Sequence, residues 1–184
     1  MAHPFFTIGH STLSIDDFLA LLRRADVAVV VDVRTVPRSR RNPQFNAEAL
    51  ARALANENIA YRRIAALGGL RGKSHSVASG VNAFWQNDSF HNYADYAMSD
   101  SFRQGLSGLR DLGHEQSCAI MCAEALWWRC HRRIIADYLL AAGETVFHIL
   151  QGGRIEEASL TPAAEVGENG VLTYPGGTVG LTGR

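Results

Sequence analysis

The run Val27–Val33 constrains the fold of this chain more than any other feature of its sequence. Five of its seven residues are valine, and Asp32 stands near its end. A continuous β-branched run is typical of a central strand in a parallel sheet, where helices cover both faces. Further strands are predicted at Phe5–Ile8, Ile59–Ile64, Ser117–Cys122 and Thr145–Leu150. The helical patterns that separate these strands include one capped by Ser14, one capped by Asp100 and one from about Cys130 to Ala142. The sequence therefore predicts an α/β fold, a three-layer domain with a mainly parallel sheet and helices on both faces.

The length of 184 residues suits a single core. We expect residues 1–150 to form one α/β domain, followed by a partly irregular C-terminal extension over residues 151–184. The segment Gly68–Ser89 is polar and contains glycine, which predicts a long loop.

Net charge, apolar stretches and the number of cysteines limit the partners and the location expected for this protein. The formal net charge is zero, so no overall positive field predicts nucleic-acid binding, and the lack of net charge is compatible with a homodimer. No secretory signal and no apolar stretch of membrane-spanning length is recognisable, which predicts no membrane partner. Three cysteines fit reduced thiols better than a disulfide framework, which predicts a cytoplasmic protein.

The run Cys122–Arg133 brings together several side chains that can take part in catalysis or ligand binding. It holds two thiols, a carboxylate, a histidine and three arginines between a predicted strand and a predicted helix. In α/β proteins this junction lies at the carboxyl edge of the sheet, where ligands bind. A helix N-terminus favours anions and lowers the pKa of a nearby thiol. The run therefore predicts a functional site.

Two other segments follow predicted strands and should meet that run at the same edge. Gly9–Thr12 offers backbone N–H groups, an imidazole and hydroxyls before a helix, which could bind phosphate. Arg34–Arg41 carries arginines in a loop bounded by prolines, and arginine binds carboxylate or phosphate through paired hydrogen bonds. The structural alternatives are a helix-capping turn, an internal Asp32–Arg34 ion pair and solvated arginines.

Cys122 has three candidate roles. It could be a nucleophile activated by His131, by nearby arginines and by the helix N-terminus. It could be a soft metal ligand together with Cys130 and His131, with His10 as a further candidate ligand, or a small buried apolar residue. Seven residues separate Cys122 from Cys130, more than is usual for a pair of zinc ligands, so no metal site is predicted.

Two further interpretations concern side chains near this run. Glu124 could serve as a general acid or base, bind a ribose or a base, or pair with Arg132. Aromatic residues could form a stacking platform for a base, or belong to the core. The residues of this candidate platform are Trp85, Asn87, Tyr93, Trp127 and Trp128.

Several motifs together resemble one family, named domain of unknown function 488. They are Ile8–Thr12, Val31–Arg34, Pro37 with Ser39-Arg40, Asn42–Phe45, Leu67–Gly69, Tyr93–Tyr96, Met121–Glu124 and Cys130–Arg132. The resemblance covers about Thr7 to Leu150 and implies a fold and a shared cleft, without a substrate. A looser resemblance to the cysteine–arginine loop of rhodaneses and cysteine phosphatases is set aside, because bulky Trp127 and Trp128 stand where such loops need small residues.

The leading functional hypothesis is an anion- or phosphate-binding cleft with a reactive cysteine, in an enzyme acting on nucleotides or nucleic acid. The predicted catalytic residues are Cys122, Glu124 and His131. The predicted ligand-binding residues are His10, Ser11, Arg34, Arg38, Arg40, Cys130 and Arg132. The alternatives are a non-catalytic nucleotide or nucleic-acid binding module and a Cys/His metal-binding protein. The expected partner is a phosphate-bearing small molecule or a nucleic acid, and no particular cofactor is predicted.

Overall fold

Strands and helices alternate along residues 3–177, the part of the chain that the computed structural model describes. The strands are β1 (Phe5–Gly9), β2 (Val29–Asp32), β3 (Ala60–Arg63), β4 (Cys118–Cys122), β5 (Val146–Ile149), β6 (Ile155–Glu157), β7 (Glu165–Val166) and β8 (Leu172–Thr173). The helices are α1 (Ile15–Arg24), α2 (Ala47–Asn56), α3 (Asp88–Tyr96), α4 (Asp100–Glu115) and α5 (Arg132–Ala141).

The main sheet has six strands in the order β3-β2-β4-β1-β5-β6. The first five strands of this order are parallel, and β6 pairs antiparallel with β5. The predicted valine strand, β2, lies between β3 and β4, and all four of its residues are buried. Strands β7 and β8 form a separate antiparallel pair.

Helices cover both faces of the sheet. On one face, α1 and α2 pack against strand residues such as Ile8, Val30 and Met121. On the other face, α3, α4 and α5 pack against residues such as Phe5 and Ile120. Alternate residues of each strand serve the two faces, as the strand period of two requires. The predicted three-layer α/β fold with a mainly parallel sheet is confirmed.

The strand register brings three loops to one edge. Gly9 of β1 lies opposite Cys122 of β4, and Asp32 of β2 lies opposite Met121. The loops after β1, β2 and β4 therefore leave the sheet side by side. Gly9 must be glycine here, because a Cβ atom would overlap the carbonyl oxygen of Glu124.

Local signals place the helix starts. The Ser14 hydroxyl accepts a hydrogen bond from the N–H of Asp17, which confirms the predicted cap of α1. Ser99, not the predicted Asp100, caps α4. The last helix begins at Arg132, two residues later than predicted, because the backbone of Cys130 is extended (φ −129°, ψ 148°).

Helix α3 was not predicted, and its first two residues, Asp88 and Ser89, lie within the predicted Gly68–Ser89 loop. The side chain of Asn87 caps it by accepting hydrogen bonds from the N–H groups of Ser89 and Phe90. Its apolar side chains Tyr93 and Ala94 are buried.

The segment predicted as a C-terminal extension begins with β6, which extends the main sheet. Further along, Tyr174 is buried, and its hydroxyl donates to Asp137 of α5 at 2.9 Å. Residues 178–184 of the predicted extension lie outside the described residues. Within residues 3–177, no helix has the length and apolar character needed to cross a membrane.

Candidate functional site

A cleft of about 610 Å³ opens at the carboxyl edge of the sheet. Eight of the ten predicted site residues line it: His10, Ser11, Arg34, Arg38, Cys122, Glu124, Cys130 and His131. Arg40 is exposed and Arg132 is buried, and neither belongs to the lining. Both ends of the predicted Gly68–Ser89 loop reach the cleft, through Gly69, Leu70 and Ser89.

Two thiols meet at the base of the cleft. Cys122 ends β4 and Cys130 precedes α5, yet their Sγ atoms lie 2.7 Å apart. Both side chains are buried, but both belong to the cleft lining. The fold therefore joins two cysteines whose sequence separation had argued against a shared site.

Cys130 is surrounded by groups that favour a thiolate. Its Sγ atom lies 3.3 Å from Nε of Arg132 and 3.5 Å from the backbone N of the same residue. Nδ1 of His131 lies 3.5 Å from the same sulfur. Because Arg132 opens α5, the partial positive charge of the helix N-terminus acts on Cys130 as well.

Contacts with three neighbouring residues fix the orientation of the His131 ring. Its Nε2 atom donates a hydrogen bond to the carbonyl oxygen of Val33 at 3.0 Å, which leaves Nδ1 to face Cys130. The ring also contacts Tyr93 edge to face, with centroids 4.9 Å apart. On another side, a Cβ atom at Gly69 would lie 2.5 Å from Nδ1. His131 can therefore take up the proton of the Cys130 thiol without moving.

Arg132 is a buried cation that needs a counter-charge. It is only 1% exposed, and its guanidinium donates to Sγ of Cys130 and to the carbonyl oxygen of Glu124. Burial alone would lower the pKa of Arg132, but the two neighbouring cysteines raise it. Since buried charges are stable only when paired, a thiolate at Cys130 is the natural partner.

The three thiols differ in acidity. Burial alone would raise the pKa of Cys130, but the hydrogen bond from Cys122, then His131 and Arg132, hold it well below the ordinary range. Burial and the neighbouring Cys130 raise the pKa of Cys122. Burial raises the pKa of Cys118 to about 12 in the core. The acidic thiol is therefore that of Cys130, whereas the sequence predicted that Cys122 would be the activated cysteine.

Most N–H groups of the Arg34 guanidinium donate hydrogen bonds to partners inside the protein. Its guanidinium donates to the Asp32 carboxylate, with one contact of 2.7 Å, to the carbonyl oxygen of Phe45 and to Nε2 of His10. These contacts use four of the five N–H groups of an arginine. The predicted internal ion pair is confirmed, and Arg34 keeps a single N–H for a ligand in the cleft.

His10 belongs to the same network. Its Nδ1 donates to the carbonyl oxygen of Ser11 at 2.9 Å, so Nε2 accepts from Arg34 at 3.3 Å. Burial lowers the pKa of His10, and the ring stacks on Phe45 with centroids 4.2 Å apart. His10 is therefore neutral and buttresses Arg34.

The loop after β1 differs from the predicted phosphate-binding loop. The backbone N–H of His10 donates to the carbonyl oxygen of Cys122, and that of Ser11 donates to Ala123. These two donors are thus used to tie the loops after β1 and β4 together. Ser11 adopts a left-handed conformation, with φ of 43°, at this junction.

Exposed arginines surround the open part of the cleft. Arg38 was predicted, whereas Arg41 and Arg129 were not among the predicted ligands. The loop that carries Arg38 is held by Asn46, whose Oδ1 accepts from the N–H of Ser39 at 2.8 Å. The adjacency of Arg129 to Cys130 was the sequence signal that could have identified it.

Glu124 is exposed and lines the cleft. Its Oε1 accepts a hydrogen bond from the N–H of Leu126 at 3.2 Å. Its backbone carbonyl, not its carboxylate, accepts from Arg132, so the predicted carboxylate–arginine pair is wrong. The carboxylate is thus held by one backbone hydrogen bond and is exposed at the cleft.

The predicted aromatic platform does not form. Trp85 and Tyr93 belong to the core, and Trp127 stacks on His148 with centroids 4.1 Å apart. Trp128 is exposed on the surface. The core alternative is therefore correct for Trp85 and Tyr93.

Cys122, Cys130 and His131 could also hold a soft metal ion. Their ligand atoms all lie within 4.8 Å of one another, a set that suits zinc with an open fourth position. The buried guanidinium of Arg132, however, already supplies a positive charge at the sulfurs. A metal ion bound there would share the Cys130 sulfur with this guanidinium.

A comparison with protein-family models gives a match to Domain of unknown function DUF488 over residues 14–139. Searches of the curated proteins and of the solved structures gave no match.

Proposed function

Because this chain belongs to the DUF488 family, whose function is unknown, we propose its function from the site itself. We propose that it is a thiol enzyme in which the Cys130 thiolate attacks an anionic substrate. One observation carries this proposal: the buried guanidinium of Arg132 donates a hydrogen bond to the Cys130 sulfur, which can carry a negative charge that balances it.

The other side chains support this chemistry. His131 can hold the proton that Cys130 loses, since its Nδ1 faces the sulfur. The cleft arginines Arg38, Arg41 and Arg129 would bind the phosphate or carboxylate groups of the substrate. Glu124 would serve as an acid or base at the cleft mouth. Free thiols fit a reducing cytoplasm.

The test is alkylation of the native protein with iodoacetamide across pH, with each cysteine followed by mass spectrometry. We expect Cys130 to be modified fastest, with a midpoint well below the ~8.5 of a free thiol. Cys122 and Cys118 serve as internal controls and should react slowly, because burial raises the pKa of both.

Two results would contradict the proposal. One is an ordinary midpoint at Cys130, and the other is faster alkylation of Cys122 than of Cys130. Elemental analysis of the same sample tests the metal alternative, because a stoichiometric soft metal bound to Cys122 and Cys130 would explain slow alkylation at both sulfurs.

A second candidate function is non-catalytic binding of a nucleotide or nucleic acid. The exposed arginines Arg38, Arg40 and Arg41 favour it, because all three lie in the loop that follows β2. Binding that weakens steeply with salt and survives Cys130→Ser would support this function over the thiol enzyme.

A further inference from the structure

We infer that Cys122 is a resolving thiol and that the cleft reduces small anionic disulfides by thiol–disulfide exchange. This inference rests on the proposed role of Cys130 as a nucleophile. It specifies that the group attacked by Cys130 is a disulfide bond, and it assigns Cys122 as a second catalytic residue.

The distance between the two sulfurs is the first argument. Sγ of Cys122 lies 2.7 Å from Sγ of Cys130, whereas a disulfide bond measures about 2.05 Å. A bond between them therefore needs a movement of less than about 1 Å. Cys122 is the last residue of β4, so the strand holds its thiol against the thiol of Cys130, which lies outside the helices.

The position of Arg132 is the second argument. Its guanidinium contacts Cys130, and its charge also acts on Cys122. When Cys130 is bound in a mixed disulfide, it no longer carries a negative charge. The buried guanidinium then stabilises the thiolate of Cys122, which turns the second thiol into an attacking group.

The exchange is balanced in two steps. The Cys130 thiolate attacks one sulfur of the substrate R–S–S–R and forms a mixed disulfide, while the first thiol leaves as R–SH with the proton that Nδ1 of His131 had taken from Cys130. Cys122 then gives its proton to Nδ1 of His131 and attacks the Sγ of Cys130. The Cys122–Cys130 disulfide forms, and the second thiol leaves as R–SH with that proton. The substrate gains two electrons, the cysteine pair loses two, and an external dithiol reduces the pair again.

The charge of the cleft indicates which disulfides fit. Arg38, Arg41 and Arg129 surround its open part, and an arginine binds carboxylates through paired hydrogen bonds. A disulfide that bears carboxylates should therefore react faster than a cationic one. Glutathione disulfide and cystamine are suitable probes of opposite charge.

The experiment mixes reduced full-length protein with glutathione disulfide and follows its intact mass. We expect the wild-type chain to form the internal disulfide, and Cys122→Ser to retain one glutathione on Cys130. Cys130→Ser should do neither, and Cys118→Ser, changed in the core, should behave as the wild type does. Cystamine should react at least about tenfold more slowly than glutathione disulfide.

Two outcomes would overturn the inference while leaving the proposed function intact. In the first, Cys130 shows its low alkylation midpoint but does not react with glutathione disulfide. In the second, the wild type and Cys122→Ser accumulate the same mixed disulfide. An ordinary alkylation midpoint at Cys130 would instead remove the proposed function itself. If Cys122→Ser does not fold, Cys122→Ala gives the same comparison.

Discussion

Arg132 is among the largest side chains that this protein buries completely, and its charge must be balanced inside the fold. Its contacts are a sulfur and a carbonyl oxygen, so the single residue links the stability of the loop after β4 to the ionisation of Cys130. At the scale of one residue, the reactivity of the site should therefore depend on a side chain that does not line the cleft.

Replacing Arg132 by methionine tests this link. Without the guanidinium, the pKa of Cys130 should rise, and its alkylation near pH 7 should slow about tenfold. Methionine fills a similar volume without a charge, so the free energy of unfolding should fall by no more than about 2 kcal/mol. Alkylation profiles and urea unfolding measure the two effects.

Arg133→Met is the matched control for this change. Arg133 is the next residue of α5, but its Nε donates to the hydroxyl of Thr161 instead of a sulfur. Its removal should leave the alkylation midpoint of Cys130 where it is. Equal slowing in both variants would mean that Arg132 has no special role at Cys130.

The sequence predicted the site residues better than their roles. The spacing of Cys122, Cys130 and His131 showed that thiols and an imidazole share one strand–helix junction. Which thiol is acidic depends on burial, on the hydrogen bond between the two sulfurs and on where His131 and Arg132 lie, and none of these follows from spacing. The same holds for Arg34, whose partners His10 and Phe45 are distant in sequence.

At the scale of elements, the site depends on how closely the chain after β3 approaches the start of α5. Gly69 lies against His131, and a Cβ atom there would be 2.5 Å from Nδ1. The imidazole is held by Val33 on one side and by Tyr93 on another. The ring therefore has little room to yield, and any displacement moves it relative to Cys130.

Gly69→Ala should consequently disturb the thiol more than the fold. We expect a higher alkylation midpoint at Cys130 and a loss of about 1–3 kcal/mol in the free energy of unfolding. Gly72→Ala is the control, because no atom lies within 4 Å of the position its Cβ would take. An unchanged midpoint in Gly69→Ala would show that His131 does not act on Cys130.

The elements themselves were predicted where a local pattern decides them. The valines of β2 and the Ser14 cap of α1 act within a few residues, and both were predicted. Parallel strands then required their following loops to meet at one edge, which located the cleft. Helix α3 was missed because its pattern follows a long polar segment, although Asn87 supplied a cap.

At the scale of the whole molecule, His148 connects the site loop to the centre of the sheet. It lies in β5, its Nδ1 is 2.7 Å from the hydroxyl of Thr7 in β1, and Trp127 from the loop after β4 stacks on it. Burial, with a smaller effect of Arg132, lowers the pKa of His148 from 6.5 to about 4. The folded protein therefore holds this imidazole neutral, whereas the unfolded chain protonates it near pH 6.5.

This difference predicts a loss of stability in acid. Between pH 6.5 and about 4 the unfolded chain binds a proton that the folded chain lacks, so the free energy of unfolding decreases as the pH falls. The contribution of His148 should be on the order of 3 kcal/mol across this range, and buried His10 acts in the same direction.

Urea unfolding at pH 7 and at a pH near 4.5 measures the effect. His148→Asn keeps a group that can hydrogen-bond to Thr7 but does not titrate, so the variant should lose less stability than the wild type between the two pH values. His75→Asn is the control, since His75 is exposed. If His148→Asn and the wild type lose the same free energy on acidification, His148 is already protonated in the folded protein. The contacts of β5 with β1 and Trp127 would then have to accommodate a charged ring, and acid sensitivity would have to come from another buried group such as His10.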